Sequence, residues 1–142
     1  MSRIDVAYEK FCKTRFPLPT DAQIAKLERR IGTKLPDDYR SFLLRYNGGY
    51  FQEPDIECTC PGCPEDALND LYGIGATVPA AELTSESILT VFDDKRPARI
   101  LPIGYTISGN LLVLITRPGK DRGAIMLKEA SSDNYYPIAR PC

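Results

Sequence analysis

Histidine is absent from this 142-residue chain. Its absence excludes Ser-His-Asp and Cys-His catalysis, histidine-ligated zinc and histidine-based pH switching together. No apolar run approaches the ~18 residues of a membrane-spanning helix. Met1-Ser2-Arg3-Ile4-Asp5 lacks the hydrophobic stretch of a secretory signal, so a cytoplasmic location is expected. Basic residues are missing from a whole third of the chain: residues 47–94 hold ten acids and no Lys or Arg. With 43% apolar and 26% charged residues, the remainder suits one globular domain over residues 1–142 with its own core. The composition points away from an enzyme.

The charge is distributed unevenly. Residues 1–46 carry ten bases against six acids and residues 95–142 eight against three, so the total closes at −1. Either the basic ends fold around the acidic middle and neutralise it, or the middle forms an acidic face for a basic partner. An isoelectric point near 5.5 argues against a continuous basic patch, and so against direct nucleic-acid binding.

Helical spacing dominates the first third. Ile4, Ala7, Tyr8 and Phe11 predict a first helix, which Phe16-Pro17-Leu18-Pro19 cannot continue. Thr20 reads as the N-cap of a second helix with the stripe Ile24, Leu27, Ile31, ended by Gly32. Pro36 opens a third, with Asp37 and Asp38 at its positive end and Tyr39, Phe42, Leu43 and Tyr46 on one face. Asn47-Gly48-Gly49 stops it. A strand is expected at Tyr50-Phe51, then a loop over 53–66. Leu68–Tyr72 reads as a helical turn, Tyr72–Ala76 as a short strand and 80–92 as a helix.

From Arg99 the signals favour strands. Ile100–Ile103 and Thr106-Ile107 lead through a Ser108-Gly109 turn to Asn110–Thr116, and Pro118–Asp121 turns into Ala124–Lys128. Leu111–Ile115 is apolar on both sides, as a strand covered on both faces would be. The expected fold is α+β: N-terminal helices packed against a mostly antiparallel sheet.

Ile24, Glu28, Ile31-Gly32, Leu35-Pro36, Tyr39, Phe42-Leu43 and Asn47-Gly48-Gly49 together resemble the core pattern of the SUKH superfamily. That superfamily includes the Smi/Knr-type cell-wall regulators of fungi and many bacterial relatives. Leu101-Pro102-Ile103-Gly104, Gly109-Asn110 and Gly123-Ala124-Ile125 are similar to its strand and turn elements. The likeness covers most of residues 20–139. It implies a structural role for Leu35, Pro36, Tyr39, Phe42, Leu43, Asn47, Gly48 and Gly49. It also implies a non-enzymatic protein-binding domain, in bacteria commonly an immunity protein that neutralises a toxin, often a nuclease. A regulatory scaffold for cell-wall synthesis is the alternative. Two departures are expected: the closing helix of many relatives is missing after Tyr136–Ala139, and Thr116 stands near where a family acid would follow the central strand.

Cys58-Thr59-Cys60-Pro61-Gly62-Cys63 is the most conspicuous chemical feature. Cys58, Cys60 and Cys63 could hold zinc with a fourth ligand from elsewhere, although the spacing is not that of a zinc ribbon. Cys60 and Cys63 could form a redox pair, and simple thiols in a cytosolic loop are the plainer reading. A helix-turn-helix around Gly32 is disfavoured, because Asp37-Asp38 would repel phosphates from the second helix. Gly104-x-x-x-x-Gly109 lacks the Gly-Lys-Ser/Thr of a phosphate loop. Asp93-Asp94 reads as a solvated turn.

The candidate partner-binding residues are therefore Glu53, Asp55, Glu57, Glu65, Asp66 and Asp70, with Tyr50 and Phe51 as aromatic anchors. A basic toxin domain is the expected partner, with no nucleic acid or membrane bound and no catalytic residue. The chain is expected to be a monomer or weak homodimer.

Overall fold

A threonine and a glycine bracket the first helix of the computed structural model, which describes residues 12–52, 55–56, 62–76, 79–89 and 98–138. The helix expected on Ile4–Phe11 lies outside the described residues. Helix α1 spans Asp21–Ile31. Thr20 Oγ1 accepts from the Gln23 N–H at 3.2 Å, and Gln23 Oε1 accepts from the Thr20 N–H at 2.8 Å, a reciprocal capping box. Gly32 closes the helix at φ 77°. Helix α2 (Asp37–Arg45) follows, with Pro36 at its N-cap, one position earlier than the first-turn site expected. Glu28 joins the two helices by accepting the Leu35 N–H at 2.8 Å.

Eight strands are found among the described residues: β1 (Cys12–Arg15), β2 (Gly49–Phe51), β3 (Asp55–Ile56), β4 (Asp66–Leu71), β5 (Ile100–Thr106), β6 (Leu111–Ile115), β7 (Ile125–Lys128) and β8 (Tyr135–Pro137). Their order is β1-β2-β4-β5-β6-β7-β8, with β3 paired to β4, and every pairing is antiparallel. The sheet is thus a meander in chain order, with α1–α2 inserted after β1, β3 between β2 and β4, and further described turns between β4 and β5. The expected α+β architecture is what the chain adopts.

Register sorts the side chains into two faces. Gly49, Leu71, Gly104, Leu112, Leu127 and Tyr136 pair in one row across the sheet. Leu71, Leu112 and Leu127 join Ile24, Leu27 and Ile31 of α1 and Tyr39, Phe42 and Leu43 of α2 in one core. This is the inner, helix-covered face. Val113 and Ile115 fall on the outer face yet are also fully buried, as the two-sided apolar run predicts.

Three expectations fail around residues 66–92. Leu68–Tyr72 is not a helical turn: Asp66–Leu71 forms β4. The register shifts between Leu68 and Asp70, so Leu68 and Leu71 both reach the core. A bulge thereby imitates helical spacing. Tyr72–Ala76 is a turn with one isolated bridge, Gly73 to Glu82, and not a strand. Of the expected 80–92 helix, the start is replaced by a 3-10 turn at Pro79–Ala81, Glu86–Leu89 is helical (α3), and residues 90–92 lie outside the described residues. Glu82 explains part of this, because its carboxylate accepts the N–H groups of Gly75, Ala76 and Thr84 and holds the segment as a loop. Strand β1 was not anticipated.

Tyr39 stacks on Phe42 with ring centroids 6.0 Å apart, but its buried hydroxyl has no hydrogen-bond partner. Burial pushes that hydroxyl far above its ordinary ionisation range. Tyr39→Phe should therefore stabilise the fold by about 1 kcal/mol, measured by urea unfolding, since an unsatisfied buried hydroxyl is removed without loss of a bond.

Candidate interaction surface

The outer face carries a second complete row. Thr14 pairs with Tyr50, Tyr50 with Asp70, Asp70 with Tyr105, Tyr105 with Leu111, Leu111 with Lys128 and Lys128 with Tyr135. Tyr50 and Tyr105 thus flank Asp70 on neighbouring strands. Tyr72, two residues beyond Asp70, is electrostatically coupled to Asp70, Tyr105 and Tyr50. Three tyrosines therefore surround one carboxylate.

Asp70 is 4% exposed. Burial pushes its carboxyl up to about 6, against a partly offsetting hydrogen bond from Asn69 Nδ2 at 3.1 Å. Burial also raises Tyr72 to about 12 and lifts Tyr50, and the Asp70 charge adds to both. Tyr105, 42% exposed, is the accessible member of the group. Ile107, in the same turn region, is 52% exposed.

Asp66 contrasts with Asp70. Burial opposes its charge, but hydrogen bonds from Thr106, Asn110, Ala67 and Ser108 hold its carboxyl below the ordinary range. Its Oδ1 accepts the Ala67 and Ser108 N–H groups at 2.8 and 3.2 Å, and its Oδ2 accepts Asn110 Nδ2 at 2.9 Å. Asp66 is consumed in fixing the β5–β6 hairpin.

The structure therefore divides the residues singled out by sequence. Tyr50 and Asp70 come together, while Asp55 and Glu65 are exposed near the start of β4. Asp55 pairs with Ala67, one position before inward-facing Leu68, which puts it on the outer face. Phe51 is only 5% exposed and packs in the core, so it is no surface anchor. Asp66 is structural, and Glu53 and Glu57 lie outside the described residues. Tyr72 and Tyr105 were missed. No local signal reveals Tyr105, because only the β4–β5 register brings it to Asp70.

The cysteine loop divides as well. Cys63 is disulfide-bonded. In that form its sulfur offers no thiolate to a metal, so zinc ligation and the disulfide are mutually exclusive for this residue. Cys58 and Cys60 lie outside the described residues, and among the described residues no three His, Cys, Asp or Glu side chains are grouped to hold a metal.

A cleft of about 560 Å³ lies between Glu28, Lys34, Pro36, Arg40 and Arg122. Three of its polar side chains are engaged in holding the fold: Arg122 donates to the carbonyls of Lys34 and Thr116, Arg40 pairs with Asp21 at 3.3 Å, and Glu28 accepts the Leu35 N–H. Thr116, near the position of the expected family acid, is fully buried and donates to the Ala98 carbonyl at 2.8 Å.

The residues of the expected family motif behave as structural parts. Leu35, Tyr39, Phe42 and Leu43 are buried in the core. Asn47 is fully buried, with Nδ2 donating to the Pro17 and Ile74 carbonyls at 2.6 and 2.7 Å and Oδ1 accepting the Ile74 N–H at 2.9 Å. Gly48 follows at φ 90°, where a Cβ would stand 2.6 Å from the carbonyl oxygens of Leu71 and Tyr72.

These features define an α+β meander whose helices cover one face and whose motif residues hold the helix-to-sheet junction. The chain belongs to the SMI1/KNR4 family (SUKH-1), whose model matches residues 18–141. It is also similar to the SPbeta prophage-derived uncharacterized protein YokK of Bacillus subtilis (strain 168), at 28% identity over 123 residues. That match covers 75% of this chain and 62% of the relative, so the chain spans under two thirds of the relative's length. No solved structure matches the chain significantly. No helix among the described residues is long and apolar enough to cross a membrane.

Proposed function

We propose that this chain is a non-catalytic protein-binding domain that neutralises a toxin, covering its basic active surface with the acidic, tyrosine-bearing side of the sheet. One observation carries the reading. The ion pairs formed between described residues, Arg40–Asp21 and Arg117–Asp121, leave Asp55, Glu65 and Asp70 out. Asp55 and Glu65 are exposed, and so are Tyr105 and Ile107 on the adjoining strand β5 and its turn, so this side offers acidic and apolar surface together. Such a face is complementary to a protein that grips phosphate, because opposed potentials speed encounter and set orientation. Family membership supports a binding role, and the prophage origin of the Bacillus relative suits a protein of conflict between genetic elements. A cytoplasmic location belongs to the same proposal.

Co-expression with the product of the neighbouring gene tests it. The expected result is a stoichiometric complex and rescue of growth from a partner that is lethal alone. Asp55→Lys combined with Glu65→Lys should slow association about tenfold at low salt and far less at high salt. A folded chain that forms no complex overturns the reading, and an effect independent of salt overturns its electrostatic part. The scaffold alternative predicts several partners, none of them toxic.

A further inference from the structure

Asp70 is a buried acid with too few donors. A carboxylate can accept about four hydrogen bonds. Asp66 meets that demand from four residues, whereas Asp70 draws one side-chain hydrogen bond among the described residues, from Asn69 to Oδ1. Burial and the Asn69 hydrogen bond are what act on its carboxyl, with no cation among them, and its register neighbours Tyr50 and Tyr105 are aromatic rings. Among the described residues, the strands therefore hold an acid beside aromatic side chains with no cation paired to it.

The chemistry that completes such a site is a cation with an apolar stem. Tyrosine faces attract cations, and the carboxylate supplies charge-assisted hydrogen bonds. Guanidinium fits better than ammonium, being planar, weakly hydrated and able to stack on a ring while donating to carboxylate oxygens. Tyr105 is the exposed member of the group and offers its ring to a ligand from solvent. We propose that Asp70, Tyr50 and Tyr105 form a socket for an arginine side chain of the partner protein. The inference rests on the protein-binding reading and specifies which partner group is read.

The full-length chain, labelled with 15N, is titrated with N-acetyl-arginine amide and followed by NMR. Saturable shifts are expected at the amides of Tyr50, Asp70 and Tyr105, with neutral N-acetyl-glutamine amide producing none. N-acetyl-lysine amide should bind more weakly than the arginine probe. Asp70→Asn should abolish the arginine shifts while leaving the rest of the spectrum in place. Affinity should fall about tenfold from pH 7.5 to pH 5, as Asp70 takes up a proton. The other titratable groups facing Asp70 are Tyr50, Tyr72 and Tyr105; burial lifts the first two further from this interval, so the expected change is carried by the carboxylate.

Non-saturable shifts, equal shifts with the glutamine probe, or unchanged affinity in Asp70→Asn would overturn the socket. A toxin complex that survives Asp70→Asn unweakened also overturns it and leaves the protein-binding reading standing. Probe binding in a chain that captures no partner supports the socket and overturns that reading instead.

Discussion

Replacing Asp70 with asparagine should stabilise the protein at pH 7 by up to about 3 kcal/mol and leave its stability at pH 4 nearly unchanged. Burial lifts this carboxyl to about 6 in the folded chain, against about 4 in an unfolded one, and each unit of difference is worth about 1.4 kcal/mol. The sign follows from proton linkage. Between pH ~4 and ~6 the folded state holds the proton more tightly, so wild-type stability falls as pH rises through that window. Below it both states are protonated and no penalty exists; above it the penalty is complete. Asparagine keeps the shape, removes the charge and abolishes this slope. Urea unfolding of both proteins at pH 4 and pH 7 reads the effect directly. A variant less stable than wild type at pH 7 would mean that Asp70 has a compensating partner in the folded chain. The expected gain in stability, set against loss of arginine binding, is the signature of a residue retained for recognition.

Asn47→Ala should act in the opposite direction, costing about 3–5 kcal/mol. Its amide supplies three hydrogen bonds that tie the end of α2 to Pro17 and Ile74, and truncation leaves buried backbone groups unsatisfied at about 1–3 kcal/mol each. Asn47 also holds φ 65°, a conformation asparagine tolerates better than alanine. Asn47→Gly separates the two causes, because it relieves the backbone while losing the same bonds. Glycine should recover about 1 kcal/mol of the alanine loss. Chemical denaturation that finds Asn47→Ala within 1 kcal/mol of wild type would show that water replaces the side chain, and that the junction does not depend on it.

Legibility followed the range of the interactions. Helices α1 and α2 could be read because their signals are local: Thr20 and Gln23 are three residues apart, the apolar stripes repeat each turn, and Gly32 ends the helix by its own backbone freedom. Strand β6 was readable as a run apolar on both faces. Strand β4 was not, because a bulge gave Leu68 and Leu71 a helix-like spacing. The turn at Gly75 and Ala76 escaped detection because a single carboxylate, Glu82, organises it through backbone N–H groups several residues away.

The candidate site shows the same division. Sequence flagged the acidic segment and Tyr50, but it weighted every acid alike. The structure separates Asp66, whose charge is satisfied by the β5–β6 hairpin, from Asp70, whose charge is not. Phe51 and Tyr50 are adjacent in sequence and look equivalent as anchors, yet alternation along a strand sends one to the core and the other to the outer face.

What the sequence determined by itself was the fold class, the family and the charge pattern, all carried by composition and short-range spacing. What only the tertiary structure decided was which acid is buried with a single side-chain donor among the described residues and which rings stand beside it. Asp70 and Tyr105 are 35 positions apart in the chain, and cross-strand register, set by hydrogen bonds and core packing together, is what makes them neighbours.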